Sequence, residues 1–364
     1  MCRVFMPRSV YRNALYTAVG LYFFLASIVL IKSSATLFGE SLAEQILRLV
    51  HDTTGGVFAG WVSTALLHSS GAFDSIVVAF TSAGILPMKL SVAAIIGAEI
   101  GTTVTPQLIS VLGYIRKKGE EFSSSFRVTM MHFWYNFFTL MIFYPLELFT
   151  GLLTRIAQGG SSFFSKVPGL RTIPSLLDLI TPWIRPLLQH IPPWAGLIGG
   201  VCVLMSSLML AERSMTATFS MPRSWNLIRA TFTKPLRSFL AGFIFTIFVP
   251  STTVMVSLLV PLAASGVIGA DYYILPYVLG ANIGTVFDVM TAALATGDPV
   301  AIGVWLVHLS INLIGAAIFF PLLRSFGVFV GRATRYLTSH RLRAVVFLSV
   351  FHVIPVLVIV IGML

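Results

Sequence analysis

Charge is scarce in this 364-residue chain: Asp, Glu, Lys and Arg make up 10% of it, against 56% hydrophobic residues. Soluble domains carry about a quarter charged residues, so a water-soluble globule is excluded, in line with a mean hydropathy of +0.90. Cysteine is nearly missing. Cys2 lies near the start and Cys202 inside an apolar run, which gives neither a metal-spaced set nor a supported disulfide. Enzyme signatures are missing too: there is no Gly-x-Ser-x-Gly, no loop ending in Gly-Lys-Ser/Thr and no His-Glu-x-x-His. An enzyme, a bound cofactor or ATP-driven transport by this chain is therefore not expected. Acids are the rarer charge, 13 against 24 Lys and Arg, for a net +11. The cations gather between apolar runs: Arg3, Arg8 and Arg12; Arg116, Lys117, Lys118 and Arg127; Arg213, Arg223, Arg229, Lys234 and Arg237; Arg324, Arg332, Arg335, Arg341 and Arg343. That distribution fits cytoplasmic loops under the positive-inside rule. The expected partner is a lipid bilayer and not nucleic acid.

What the sequence has instead is a series of apolar runs suited to a hydrocarbon core of ~30 Å. They fall at about 14–31, 57–67, 72–86, 90–112, 127–149, 193–211, 238–249, 251–268, 271–297, 301–323 and 344–363. The first reads as an uncleaved helix, since no small-residue cleavage site follows it closely. Residues 38–51 read as an interfacial amphipathic helix. The pieces 57–67 and 72–86, and again 238–249 and 251–268, are short and meet at polar breaks. Such pairs suggest re-entrant hairpins, tolerated only where free backbone groups face protein or a wet cavity. Residues 150–192 read as a long external loop, marked by Gly159-Gly160-Ser161-Ser162, with one short surface helix around 175–190.

The short pieces belong to an internal repeat. Gly60, Thr64, Ser69, Ser75, Val78 and Gly84 match Gly242, Thr246, Ser251, Ser257, Val260 and Gly266 at an offset of 182. Gly97-Ala98-Glu99-Ile100-Gly101-Thr102 matches Gly280-Ala281-Asn282-Ile283-Gly284-Thr285 at offset 183, and His132 and Asn136 match His308 and Asn312 at offset 176. Counting spans from the basic loops gives the two halves opposite orientations. The expectation is an all-α polytopic membrane protein with two inverted-topology repeats, each with a re-entrant helical hairpin and a discontinuous transmembrane helix. Repeat one covers about 57–149, the linker loop 150–192 and repeat two 238–323, with peripheral helices at 13–31, 193–211 and 344–363. Inverted repeats are chiefly a transporter architecture, with the binding site near the bilayer midplane.

The polar breaks are the candidate substrate site: His68, Ser69, Ser70 and Gly71 at the first tip, and Pro250, Ser251, Thr252 and Thr253 at the second. A helix starting after each break directs free N–H groups and the positive end of its dipole at the break, and hydroxyls there add donors for an oxyanion. The bland alternative is that the hydroxyls cap their own helices. The glycine pairs Gly97/Gly101 and Gly280/Gly284 could unwind their helices and expose carbonyls to Na⁺, or could simply pack helices closely. Glu99 and Asn282 at that depth favour an ion. With Thr102, Thr103, Thr285, Asp74 and Asp288 they form the coupling-ion candidates. Asp74 and Asp288 lie in apolar segments and have no basic residue nearby in their own spans. Glu147, after Pro145, reads as interfacial. The two His/Asn pairs, at i and i+4, supply too few ligands for a transition metal and read as interhelical hydrogen-bonding groups.

The order of a small-residue helix, a Ser/Thr tip and then Gly-Ala-x-Ile-Gly-Thr, present twice, resembles the type II sodium-dependent phosphate cotransporter family, over about 57–140 and 238–323. The resemblance implies phosphate at the two tips and Na⁺ around the tips and the interrupted helices. In that family each tip reads Gln-Ser-Ser-Ser. Here both glutamines are replaced, Gly71 stands for the last serine of the first tip, and Glu99 stands for an asparagine. Glu99 favours a bound cation or proton and opposes a nearby anion. The expected function is therefore Na⁺-coupled transport of phosphate or a related small oxyanion by alternating access. Two alternatives stay open: a proton-coupled transporter of another solute on the same fold, or a non-transporting membrane scaffold or sensor. The expected location is a prokaryotic inner membrane with the N-terminus cytoplasmic, and a homo-oligomer is allowed for.

Overall fold

The computed structural model describes residues 8–114, 120–167, 181–219, 230–266, 268–269 and 273–362, and among them only helices and turns occur. The helices in order are α1 Arg8–Phe38, α2 Glu40–Leu49, α3 Thr53–Leu67, α4 Ser70–Ser82, α5 Met88–Gly101, α6 Val104–Tyr114, α7 Glu120–Thr150 and α8 Leu152–Phe164. They continue with α9 Ile184–His190, α10 Pro193–Phe219, α11 Pro235–Phe248, α12 Thr252–Ala264, α13 Ile274–Thr296, α14 Pro299–Phe319, α15 Leu323–Thr338 and α16 Arg341–Gly362. Among the described residues six helices are long and apolar enough to cross a membrane, and seven if the bent pair α7/α8 counts as one span. The protein is an integral membrane protein.

Small residues set the packing. Gly60 lies so close to the Ala94 carbonyl, and Gly97 to the Val57 carbonyl, that a Cβ on either would overlap backbone. Those contacts join α3 to α5. The same contacts recur between α11 and α13, where Gly242 meets the Tyr277 carbonyl and Gly280 the Phe239 carbonyl. Gly101 sits over the Trp61 carbonyl as Gly284 sits over that of Phe243. Each residue in the second set is its counterpart in the first displaced by the repeat offset. The glycines thus serve close helix approach.

The interruption expected within both long spans is found in only one. α5 ends at Gly101 and α6 begins at Val104, with Thr102 and Thr103 in a turn whose N–H groups reach the Ala98 and Ile100 carbonyls at 3.1 Å. α13 runs unbroken through Gly280–Thr285. Gly280 and Gly284 are held against α11 as Gly97 and Gly101 are held against α3, so the glycine contacts are alike although only the first span is interrupted.

The expected linker loop is also corrected. α8 occupies Leu152–Phe164, bent by 75° from the helix before it, so Gly159-Gly160-Ser161-Ser162 is helical. Gly303 of α14 packs on the Ala157 carbonyl and Gly160 against Leu306, so these glycines mark a helix–helix contact. Glu147 is buried, not interfacial: its carboxylate accepts from Leu153 N (2.8 Å) and Thr154 N (3.2 Å) and from the Thr154 hydroxyl. It caps the start of α8 and lets the chain turn sharply after Thr150. The surface helix expected around 175–190 falls partly outside the described residues, and within them α9 covers Ile184–His190. The Arg324–Arg343 stretch, expected as a basic loop, is mostly the amphipathic helix α15.

Gly97→Ala and Gly280→Ala should each lower stability by about 1–3 kcal/mol, because the added methyl meets backbone that cannot retreat. Gly199→Ala, where a Cβ meets nothing within 4 Å, should not. Thermal unfolding of the purified protein in detergent reads the difference, and equal losses at all three positions would refute the packing argument.

Candidate functional site

The two polar breaks are built alike. α3 ends at His68, whose φ of 58° puts it in the left-handed region, and α4 begins at Ser70. Ser69 caps α4, its Oγ accepting from Ala72 N at 3.2 Å. At the second break Ser251 caps α12, its Oγ accepting from Val254 N at 3.3 Å. Capping uses the lone pairs of each serine and leaves the Ser69 proton free to donate, whereas Ser251 has the Glu212 carboxyl group beside it. The capping reading of these hydroxyls therefore holds and does not exclude anion binding. The threonines differ: Thr252 Oγ1 donates to the Ala281 carbonyl (3.1 Å) and Thr253 Oγ1 to the Thr102 carbonyl (3.4 Å), so their protons are committed within the protein. The hydroxyls of Thr102 and Thr103 likewise turn back to the Ala98 and Ile100 carbonyls. His68 is exposed, and its Nδ1 lies 2.9 Å from Thr105 Oγ1.

Each tip sits against the other half of the chain. Thr253 reaches Thr102, and Gly71 lies against the Asp288 carboxylate so closely that a Cβ would collide with it. Asp288 Oδ1 accepts from Val289 N at 2.6 Å, while its Oδ2 is buried without a hydrogen-bond partner. Ser70, Thr285 and Asn282 are buried as well.

The expectation that Asp74 has no basic neighbour holds only within its own span. His308 of α14 stands between two carboxylates, its Nδ1 3.3 Å from Asp74 Oδ2 and its Nε2 2.8 Å from Glu99 Oε1. Asn312, one turn on, donates to Glu99 Oε1 at 2.9 Å. All four side chains are buried, and both Asp74 oxygens lack a hydrogen bond. In the other half Asn282 donates to Asn136 at 3.2 Å. Glu99 and Asn282 are repeat counterparts, as are Asn312 and Asn136, so one crossing contact is made twice, once with a carboxylate and once with an amide. The sequence reading of the His/Asn pairs as interhelical partners identified the pairs but missed the acids that His308 meets. It also missed Glu212, half-buried at the end of an apolar run and beside Ser251. Its position immediately before Arg213 hid it among interfacial charges.

Serine-capped helix starts and carboxylates buried among membrane helices define a solute- or ion-handling membrane protein. The family model for the Na⁺/Pi-cotransporters matches residues 23–163 and 203–350. The chain belongs to that family. It is 29% identical over 175 residues to sodium-dependent phosphate transport protein 2A of Ovis aries, covering 46% of this chain and 27% of that protein. Against sodium-dependent phosphate transport protein 2B of Bos taurus it is 28% identical over 175 residues, covering 47% of this chain and 25% of that protein. The matched stretch thus spans about a quarter of these mammalian relatives. An uncharacterized protein of Bacillus subtilis, YqeW, is 24% identical over 315 residues, covering 86% of this chain and 84% of that protein. No solved structure matches significantly.

His308→Asn should destabilise the protein by about 3–5 kcal/mol, because it leaves Asp74 and Glu99 buried without a cation. Adding Glu99→Gln should recover part of the loss. His132→Asn, at the uncharged counterpart, should cost less. Unfolding of the single and double variants measures the coupling, and simple additivity would refute the His308–Glu99 interaction.

Proposed function

We propose that this chain is a secondary transporter that moves inorganic phosphate or a related small oxyanion together with Na⁺. The observation that carries the reading is the pair of serine-capped helix starts, Ser69 and Ser251, at matching places in the repeat and each beside a long helix of the other half. Their N–H groups and dipoles, with the free hydroxyl proton of Ser69, supply anion donors without a lysine. In this reading His68, Ser69, Ser70 and Gly71 form one side of the substrate site and Ser251, Thr252 and Thr253 the other. The threonines contribute backbone N–H groups, since their hydroxyls are engaged. Asp74, Glu99, Asn282, Thr285 and Asp288 are the coupling-ion candidates, together with the carbonyls at Thr102 and Thr103. Carboxylates this deep are costly without compensating positive charge, and a Na⁺ arriving with the anion supplies it.

The recurrence of the α3/α5 contacts in α11/α13 supports two repeats, about 57–149 and 238–323. The basic loops orient them oppositely across the bilayer, with the N-terminus cytoplasmic in a prokaryotic inner membrane. The pairs α3/α4 and α11/α12 are the re-entrant hairpins, and α1, α10 and α16 are peripheral. Alternating access then moves the repeat-formed core against these outer helices.

A second reading, proton coupling, is favoured by one observation: His308 already supplies a cationisable group to Asp74 and Glu99. Uptake of labelled phosphate into proteoliposomes separates the two. The expected result is accumulation driven by an inward Na⁺ gradient and lowered about tenfold or more in Ser69→Ala/Ser251→Ala, since each hydrogen bond to a charged group contributes roughly 1.5–3 kcal/mol. Accumulation that follows a pH gradient, ignores sodium and vanishes in Glu99→Gln selects the proton. No accumulation by folded protein under either gradient leaves the scaffold or sensor reading.

A further inference from the structure

Helix α15 spans 16 residues, about 24 Å at 1.5 Å per residue, which is short of a bilayer core. It lies between two spans, α14 and α16. Its inner face (Leu323, Phe326, Val330, Leu337) is buried against the bundle. Its outer face carries Arg324, Arg332 and Arg335 along one flank, all exposed, beside Val328 (52% exposed), Phe329 (39%) and Tyr336 (63%). None of the three arginines makes an ion pair among the described residues, and the sequence contains no Asp or Glu after Asp298.

Neighbouring elements extend this cationic margin. Arg343 of α16 lays its guanidinium over the Tyr336 ring, 4.4 Å from the centroid, and donates to Ser339 Oγ at 2.8 Å. Arg127 of α7 reaches the Gly327 carbonyl at 3.4 Å. Trp134 of α7 meets Phe329 edge-on, with centroids 5.1 Å apart. Two stretches that the sequence separates by about 200 residues, each read from charge as cytoplasmic, thus form one surface.

We propose that the outer face of α15, with Arg343, binds the headgroups of anionic phospholipids at one margin of the bilayer. An arginine row beside an apolar row is the chemistry of an interfacial helix: the apolar side chains enter the acyl boundary while the guanidinium groups reach lipid phosphates. A free oxyanion would use the arginines but not the exposed apolar surface of Val328, Phe329 and Tyr336. Charge complementarity is one-sided, because no acid on α15 competes for the arginines. The inference rests on the protein being in a membrane and is independent of what it transports.

The test is the preference of the purified full-length protein for phosphatidylglycerol over phosphatidylcholine, read as a ratio of association constants by native mass spectrometry. In the variant Arg324→Gln/Arg332→Gln/Arg335→Gln that ratio should fall by about tenfold or more, given that each cation near an anionic surface contributes roughly fivefold. The corresponding triple Lys variant should retain most of it. Should the triple Gln variant fail to fold, the single Arg332→Gln substitution should give a partial loss. An unchanged ratio in the Gln variants would overturn the proposal, as would competition by inorganic phosphate as effective as that by phosphatidylglycerol, which would make the face a soluble-anion site.

Discussion

The arrangement rests on how closely α3 approaches α5, and α11 approaches α13. At Gly60, Gly97, Gly242 and Gly280 there is no room for a side chain, so backbone lies on backbone. Lipid chains are as apolar as leucine and give no hydrophobic drive for helices to associate, so close van der Waals contact between small residues takes over that role. The consequence reaches the candidate site directly. The helix breaks at Ser69 and Ser251 lie just past the ends of α3 and α11, and those helices are fixed against the spans that carry Glu99 and Asn282. Fixing one seam places a capped helix start beside a buried polar residue, and the chain contains that seam twice.

What the sequence made legible follows from what each signal measures. The offsets of 182 and 183 found the counterparts correctly, because identities at seam positions report contacts that the structure repeats residue for residue. The capping role of Ser69 and Ser251 was open in the sequence because one hydroxyl can cap with its lone pairs and still donate. The unbroken course of α13 was not legible. A Gly-x-x-x-Gly pair reads alike whether its helix is interrupted or continuous, and here both pairs seat against a neighbouring carbonyl while only the first helix ends there. Glu147 failed for a related reason: a carboxylate near Pro145 looks interfacial until the N–H groups of Leu153 and Thr154 are found pointing at it. His308 was hidden by distance along the chain. Its partners Asp74 and Glu99 are more than 200 residues away, and no local pattern carries that information.

The crossing contacts show where the symmetry is broken and what that requires. Asn136 and Asn312 are counterparts, and each reaches across to the long helix of the opposite half. Asn136 finds an amide at Asn282; Asn312 finds a carboxylate at Glu99. With an asparagine at position 99 the two contacts would be alike and neutral. The carboxylate instead gives the first half a charge that must be compensated in low dielectric, and His308 lies 2.8 Å from it. His132, the counterpart of His308, has no acid at its own crossing: Asn282 stands where Glu99 stands on the other side, and Val256 occupies the counterpart position of Asp74. The crossing contact therefore carries a carboxylate on one side only, within a scaffold whose backbone contacts are duplicated. Gly71 of the first tip lies against the Asp288 carboxylate, and Ser251 of the second lies beside Glu212, so an acid stands at each tip. In the proposed Na⁺-coupled reading, a cation held by these acids lowers the repulsion an anion meets between the tips, and each then alters the free energy of binding the other.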